Sequence, residues 1–229
     1  MKIVIVADIH GNHDALSALP EDYDELWVLG DLVNYGPQPR EVVNRVMQTA
    51  SLVIQGNHDY AVAHDDDSQW TAQYREMAAA TRAYTSGVLA GGQKRYLRDL
   101  PRQAQATRDG HRFHLVHAMP SNPFYGHCAP DGEGWVTDMS TLSADILLVG
   151  HSHRPFIRKI GDRTLVNPGS IGQPRTGTPH ASYAVWQDGG IQLKSFSYPV
   201  GITIARLQAL PLDSTIKARL TGILGAGSV

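Results

Sequence analysis

Short runs rich in Val, Ile and Leu recur along the chain, and each stops abruptly at a polar residue, the pattern of buried strands whose carboxyl ends carry chemistry. Lys2 to Ala7 stops at Asp8, Leu26 to Leu29 at Gly30 and Asp31, and Leu52 to Gln55 at Gly56 and Asn57. Phe113 to Val116 stops at His117, Ile146 to Val149 at Gly150 and His151, and Thr164 to Val166 at Asn167. Between the early strands Val42, Val43, Val46, Met47 and Ala50 share one helical face, and strand, helix, strand predicts parallel pairing. From about Ser68 to Leu100, Trp70, Tyr74, Met77, Thr81 and Tyr84 recur at helical spacing with Gly91 and Gly92 interrupting, which predicts two inserted helices roofing one side of the site. After His151 the pattern turns to strands at Phe156 to Ile160, Ser182 to Trp186 and Ile191 to Phe196, with a hairpin turn at Gly189 and Gly190. Asp213 as N-cap, with Ile216, Leu220, Ile223 and Leu224, predicts a closing helix.

Length and composition set bounds on this picture. At 229 residues, 42% hydrophobic and 18% charged, the chain is expected to fill one domain, 1–229, with the helical insertion at about 68–100. A formal net charge of −2 supplies no long-range field for nucleic acid, so no dedicated nucleic-acid partner is expected. The lone Cys128 permits no internal disulfide and reads as a buried, inert thiol. The apolar opening is too short for a signal or membrane span, which predicts a cytoplasmic protein with no membrane partner.

The strand-end residues carry the candidate chemistry. Asp8 and His10 form a D-x-H pair, and alternation along a strand would aim both side chains at one ion; His151 and His153 repeat the spacing. Glycines before Asp31, Asn57 and His151 are expected to permit sharp turns. Oxygen and nitrogen donors without thiolate suit Mn, Fe, Zn, Co or Ni rather than calcium. Seven donors, Asp8, His10, Asp31, Asn57, His117, His151 and His153, exceed what one ion takes from protein and imply two.

The order Asp8-Ile9-His10-Gly11-Asn12, Leu29-Gly30-Asp31-Leu32-Val33, Gly56-Asn57-His58-Asp59, His117 and Gly150-His151-Ser152-His153 resembles the calcineurin-like metallophosphoesterases. Tyr35-Gly36-Pro37, Asn167-Pro168-Gly169-Ser170 and Gly172-Gln173-Pro174-Arg175 point to the small bacterial and archaeal branch of phosphodiesterases and diadenosine tetraphosphate hydrolases. The resemblance implies a four-layer α/β/β/α sandwich of two mixed sheets flanked by helices. It implies two divalent transition-metal ions, manganese foremost, one held by Asp8, His10 and His153, the other by Asn57, His117 and His151, with Asp31 bridging. It further implies hydrolysis of a small, nucleotide-like phosphodiester by a metal-bridging hydroxide, with His58 facing the leaving group as electrostatic stabiliser or general acid. Asp59 is expected to hydrogen-bond the His58 imidazole and keep it protonated. The rivals are a diadenosine tetraphosphate hydrolase, a phosphomonoesterase or protein phosphatase sharing the metal pair and, outside enzymes, a protein-binding scaffold like one retromer subunit.

Other residues carry two readings each. Asn12 either contacts substrate or starts a helix, and Arg175 either clamps phosphate in two-pronged fashion or makes a surface ion pair. The stripe of Trp70, Tyr74, Met77 and Tyr84 reads as core before base-stacking platform, and Asn34 and Tyr35 as a turn beside the site before a contact with the leaving group. Asp65 to Asp67 reads as a solvated turn, and His64, His111, His114, His127 and His180 have no ligand context.

Overall fold

The computed structural model describes all residues except 67, 69, 71, 73 and 229, so the end of the Asp65 to Asp67 run lies outside the described residues. The chain forms β1 (Ile3–Val6), α1 (His13–Ser17), β2 (Glu25–Val28), α2 (Pro39–Thr49), β3 (Leu52–Val53), α3 (Asn57–His64), α4 (Arg75–Val88) and α5 (Gly91–Asp99). There follow β4 (Gln103–Arg108), β5 (His111–Val116), α6 (Gly134–Ser140), β6 (Ile146–Leu148), β7 (Phe156–Ile160) and β8 (Arg163–Asn167). The chain continues through β9 (Ala181–Gln187), β10 (Gly190–Phe196), α7 (Val200–Gln208) and α8 (Ser214–Ala226).

Two five-stranded mixed sheets result, ordered β10-β9-β1-β2-β3 and β4-β5-β6-β8-β7. In the first, β1, β2 and β3 run parallel and β9 pairs antiparallel with β1; in the second, β5, β6 and β8 run parallel. The sheets pack face to face through Ile3, Ile5, Trp27, Leu29, Phe113, Leu115, Leu148 and Trp186. At the centre Phe113 meets Trp27 and Trp186 edge to face at 5.1 and 5.0 Å, pairs that add about 0.5–1.5 kcal/mol each beyond area burial.

The outer face of the first sheet is covered by α2 through Val42, Val43 and Val46 and by Leu97 of α5, and that of the second by Trp135 and Met139 of α6. A separate apolar cluster joins α4, α7 and α8 through Met77, Ala78, Leu207, Leu220 and Leu224. This is the α/β/β/α architecture expected from the resemblance. Its functional consequence is positional: the carboxyl ends of β1, β2, β3, β5 and β6 open on one side of the sandwich.

Candidate metal centre

The seven expected donors converge at these strand ends, but not by strand alternation. Asp8, His10, Asp31, His151 and His153 lie beyond the last strand residue, with φ of 54°, 46°, 55°, 65° and 58°. Left-handed backbone, not pleat, aims the D-x-H and H-x-H pairs inward, which corrects the alternation argument. Of the three glycines, only Gly30 supplies a turn, at φ +87°; Gly56 and Gly150 supply space, since a Cβ on Gly56 would sit 2.1 Å from Asp31 Oδ1.

Three imidazoles are oriented by main-chain carbonyls. The Nδ1–H of His10 donates to Val33 O at 3.1 Å, that of His117 to Leu29 O at 2.7 Å and that of His153 to Gln173 O at 2.6 Å. Each therefore turns Nε2 toward the centre, the outer-shell arrangement that fixes tautomer and direction in metal-ligating histidines. His10 Nε2 and His153 Nε2 face one another at 3.0 Å. With both protons committed elsewhere, the facing atoms are lone pairs, which repel unless a cation sits beside them. Asp8 Oδ1 lies 3.7 Å from His153 Nε2, while Asp8 Oδ2 is buried without a hydrogen-bond partner.

Asp31 Oδ2 is the hub: it lies 3.2 Å from His117 Nε2, 3.7 Å from His10 Nε2 and 4.0 Å from His58 Nε2. Its Oδ1 accepts the His58 backbone N–H at 2.9 Å. Asn57, the first residue of α3, turns Oδ1 to His117 Nε2 at 3.0 Å and to His151 Nδ1 at 3.2 Å. Among the described residues, three groups of His and Asp atoms are thus close enough to hold an ion: Asp8, His10 and His153; His10, Asp31 and His58; and Asp31, His117 and His151.

The electrostatics match a centre built for added positive charge. Burial pushes the Asp8 carboxyl up to about 8 and His10 down to about 3, and holds His151 and His153 well below the usual imidazole range. Burial also lowers His117, but the Asp31 and Asp8 carboxylates outweigh it and push that imidazole up to about 9. Burial opposes ionisation of Asp31, and His117, His58 and His10 nevertheless hold it well below the carboxylate range. The orphaned Asp8 oxygen, the opposed lone pairs and the neutral imidazoles all fit divalent ions, which supply the charge without protons.

Two expected roles are corrected by the geometry. Asp59 does not reach the His58 ring: Oδ2 accepts the N–H groups of Asp31 at 2.8 Å and Gly56 at 2.9 Å, and Oδ1 accepts that of Leu32 at 2.9 Å. It sits at the third position of α3, where a carboxylate reaches back to cap the helix, and here it also ties the Asp31 loop to α3. The partner of His58 is Asn34, with Nδ2 donating to Nδ1 at 2.8 Å. Nor is His58 held protonated, because burial pushes it down to about 4. Asn12 is fully buried and caps α1: Oδ1 accepts the Ala15 N–H at 3.0 Å, while Nδ2 donates to Gly172 O at 3.1 Å and Tyr198 Oη at 3.0 Å. With its amide committed and closed to solvent, Asn12 has nothing left for substrate, and the helix-start reading stands.

A cleft of about 590 Å³ leads outward from His151 and Gly150, lined by Tyr74, His127, Trp135, Arg154, Phe156 and Arg175. Arg175 therefore belongs to the site: its guanidinium stands 5.7 Å from the Tyr74 ring centre, and its Nε is buried without a partner. Trp70, which lies before α4 rather than within either expected helix, forms the roof and stacks on His58 at 4.6 Å. Tyr35, at 4.9 Å from His10 and 4.7 Å from His58, closes the other side. Cys128 is half-buried and lines the cleft, contrary to the buried thiol expected. Sequence reasoning also missed His127, whose Nε2 lies 3.2 Å from His151 Nε2; its only local signal is Gly126-His127, a pair like Gly150-His151.

The chain is similar to known phosphoesterases. The metallophosphoesterase structure from Sphaerobacter thermophilus superposes with a TM-score of 0.83 at 27% identity, covering 99% of each chain. Phosphodiesterase YfcE of Escherichia coli K12 is 27% identical over 81% of this chain and 86% of its own. The symmetrical bis(5'-nucleosyl)-tetraphosphatase of Psychromonas ingrahamii is 39% identical over a 67-residue segment, 26% of this chain and 24% of that protein. The profile of the calcineurin-like phosphoesterase superfamily domain matches residues 1–187. The chain accordingly belongs to the calcineurin-like phosphoesterase superfamily and is a metal-dependent phosphoric ester hydrolase.

Proposed function

We propose that the protein is a binuclear phosphodiesterase acting on a nucleotide-type diester. The observation that carries two ions is the hub at Asp31 Oδ2, which lies against His10 on one side and His117 on the other. Asp8, His10 and His153 would hold one ion, Asn57, His117 and His151 the other, and Asp31 would serve both. When bound, such a pair, with manganese the first candidate, would supply the charge that polarises a phosphate and acidifies water.

The protein's own groups do the rest. Arg175 binds a non-bridging phosphate oxygen, with Tyr74 holding its guanidinium plane. His58 receives a hydrogen bond from Asn34 at Nδ1, so its proton sits on Nε2, the nitrogen that faces the centre. A neutral imidazole in that tautomer donates a hydrogen bond to the departing ester oxygen and stabilises its developing charge while keeping its proton. Trp70 and Tyr35 shield the ring from water, and Asp59 keeps the Asp31 loop in register with α3. The cleft beyond His151 is large enough for a second ester substituent, which favours a diester over a monoester.

The test is a matched panel of bis-aryl phosphodiester, aryl phosphomonoester, cyclic nucleotide and diadenosine tetraphosphate with manganese-loaded wild type and His58→Ala. Diester turnover is expected to exceed monoester turnover and to fall by ~10²–10⁴ in His58→Ala with metal content unchanged. Preference for the monoester, or for the dinucleotide over simple diesters, would replace the substrate class. No turnover with two equivalents of metal bound would refute the reading.

A further inference from the structure

The four candidate histidine donors are not secured alike. His10, His117 and His153 are buried and give their outer N–H to main-chain carbonyls. His151 is partly exposed and has no such carbonyl among its hydrogen bonds. Its Nδ1 points to Asn57 Oδ1 at 3.2 Å, the fellow donor, and its Nε2 points to His127 Nε2 at 3.2 Å. Ligation through Nδ1 would leave the ring proton on Nε2, and among the described residues the atom placed to accept it there is His127 Nε2.

We infer that His127 is a positioning residue for the second metal subsite, holding His151 in the tautomer and orientation that turn Nδ1 to the ion; this rests on the binuclear reading above. The two rings lie 4.6 Å apart at 42°, so His127 meets the His151 ring as a hydrogen-bond partner and a tilted packing surface at once. The loop that carries it is fixed on both sides. Gly126 N–H donates to Asn122 O at 3.1 Å, and the Trp135 indole donates to Ala129 O at 2.9 Å. Gly126 also packs so closely that a Cβ there would lie 2.6 Å from Met119 Cβ. His127 is itself exposed on the cleft wall, so this contact is open to solvent, unlike the carbonyl contacts of the other three imidazoles.

Metal-free wild type, His127→Ala and His127→Gln are titrated with Mn²⁺ by calorimetry, with thermal unfolding of the metal-free proteins as the folding control. His127→Ala is expected to keep the first equivalent unchanged and bind the second about 10–100-fold more weakly, the usual effect of losing an outer-shell partner. His127→Gln, whose amide oxygen can accept the same proton, is expected to restore the second equivalent to within a few fold. Two equivalents bound equally well by all three proteins would overturn the role of His127 alone. Equal loss in both variants would overturn it too, since acceptor chemistry would then be irrelevant. Wild type that takes up fewer than two equivalents would overturn the binuclear reading and this inference together.

Discussion

The two sheets contribute different chemistry to one centre. Loops after β1, β2 and β3 bring Asp8, His10, Asp31 and Asn57, three oxygen donors and one imidazole; loops after β5 and β6 bring only imidazoles, His117, His151 and His153. Neither set makes a binuclear centre alone, because each three-atom group containing a second-sheet histidine also needs an aspartate from the first. Two of the three candidate groups among the described residues therefore span the interface between the sheets, which Trp27, Phe113 and Trp186 pack together.

The largest effect that would sharpen this contrast is expected from Asp31→Asn, the first-sheet residue that faces imidazoles of both sheets. Steady-state kinetics should show kcat/KM reduced by at least about 10³-fold, at or beyond what one lost electrostatic contact costs. A loss below tenfold would remove Asp31 as the shared carboxylate. Next is Phe113→Ala, which touches no donor but opens the interface; chemical denaturation should show about 3–5 kcal/mol lost. If metal affinity is untouched in that variant, coupling between sheet packing and ion binding is refuted. The smallest effect is chelation of wild type. Ion at a hundred times its dissociation constant adds about 2.7 kcal/mol, so removal should lower the unfolding midpoint by about 5–10 °C. An unchanged midpoint would mean that the folded chain binds no ion at that concentration.

How much was legible in the sequence also divides along physical lines. Strands buried on both faces announce themselves by continuous apolar runs, so β1, β2, β5, β6 and β8 and the residues that end them were readable from the chain alone. By contrast β4, Gln103–Arg108, alternates small and polar residues because it is a sheet edge paired only with β5, and it carries no apolar run to detect. Helix α7 opens on Val200, Gly201, Ile202 and Thr203, poor helix formers that are helical through packing with α8. Helix α3 was hidden beneath its own motif: Asn57, His58 and Asp59 read as ligand and catalyst, whereas the same three residues form its first turn. That is why Asp59 was assigned to chemistry when its carboxylate is occupied by backbone N–H groups. Asn34 was placed beside the site without its partner, and His127 was not placed there, because their partners lie 24 residues away in either case and no periodicity links them.

The left-handed backbone at Asp8, His10, Asp31, His151 and His153 carries a further consequence. Among residues with a Cβ, Asn, Asp and His occupy that conformation several-fold more readily than most others. The same three residue types are also the candidate donors of the centre. Each position is thus doubly specified, once by coordination chemistry and once by local sterics, and the two demands select overlapping alphabets. A library that retunes the metal by exchanging Asp for Glu or His for Cys at these positions would meet a conformational toll before any coordination was tested, whereas Asn57, in a right-handed helix turn, is the donor most open to redesign.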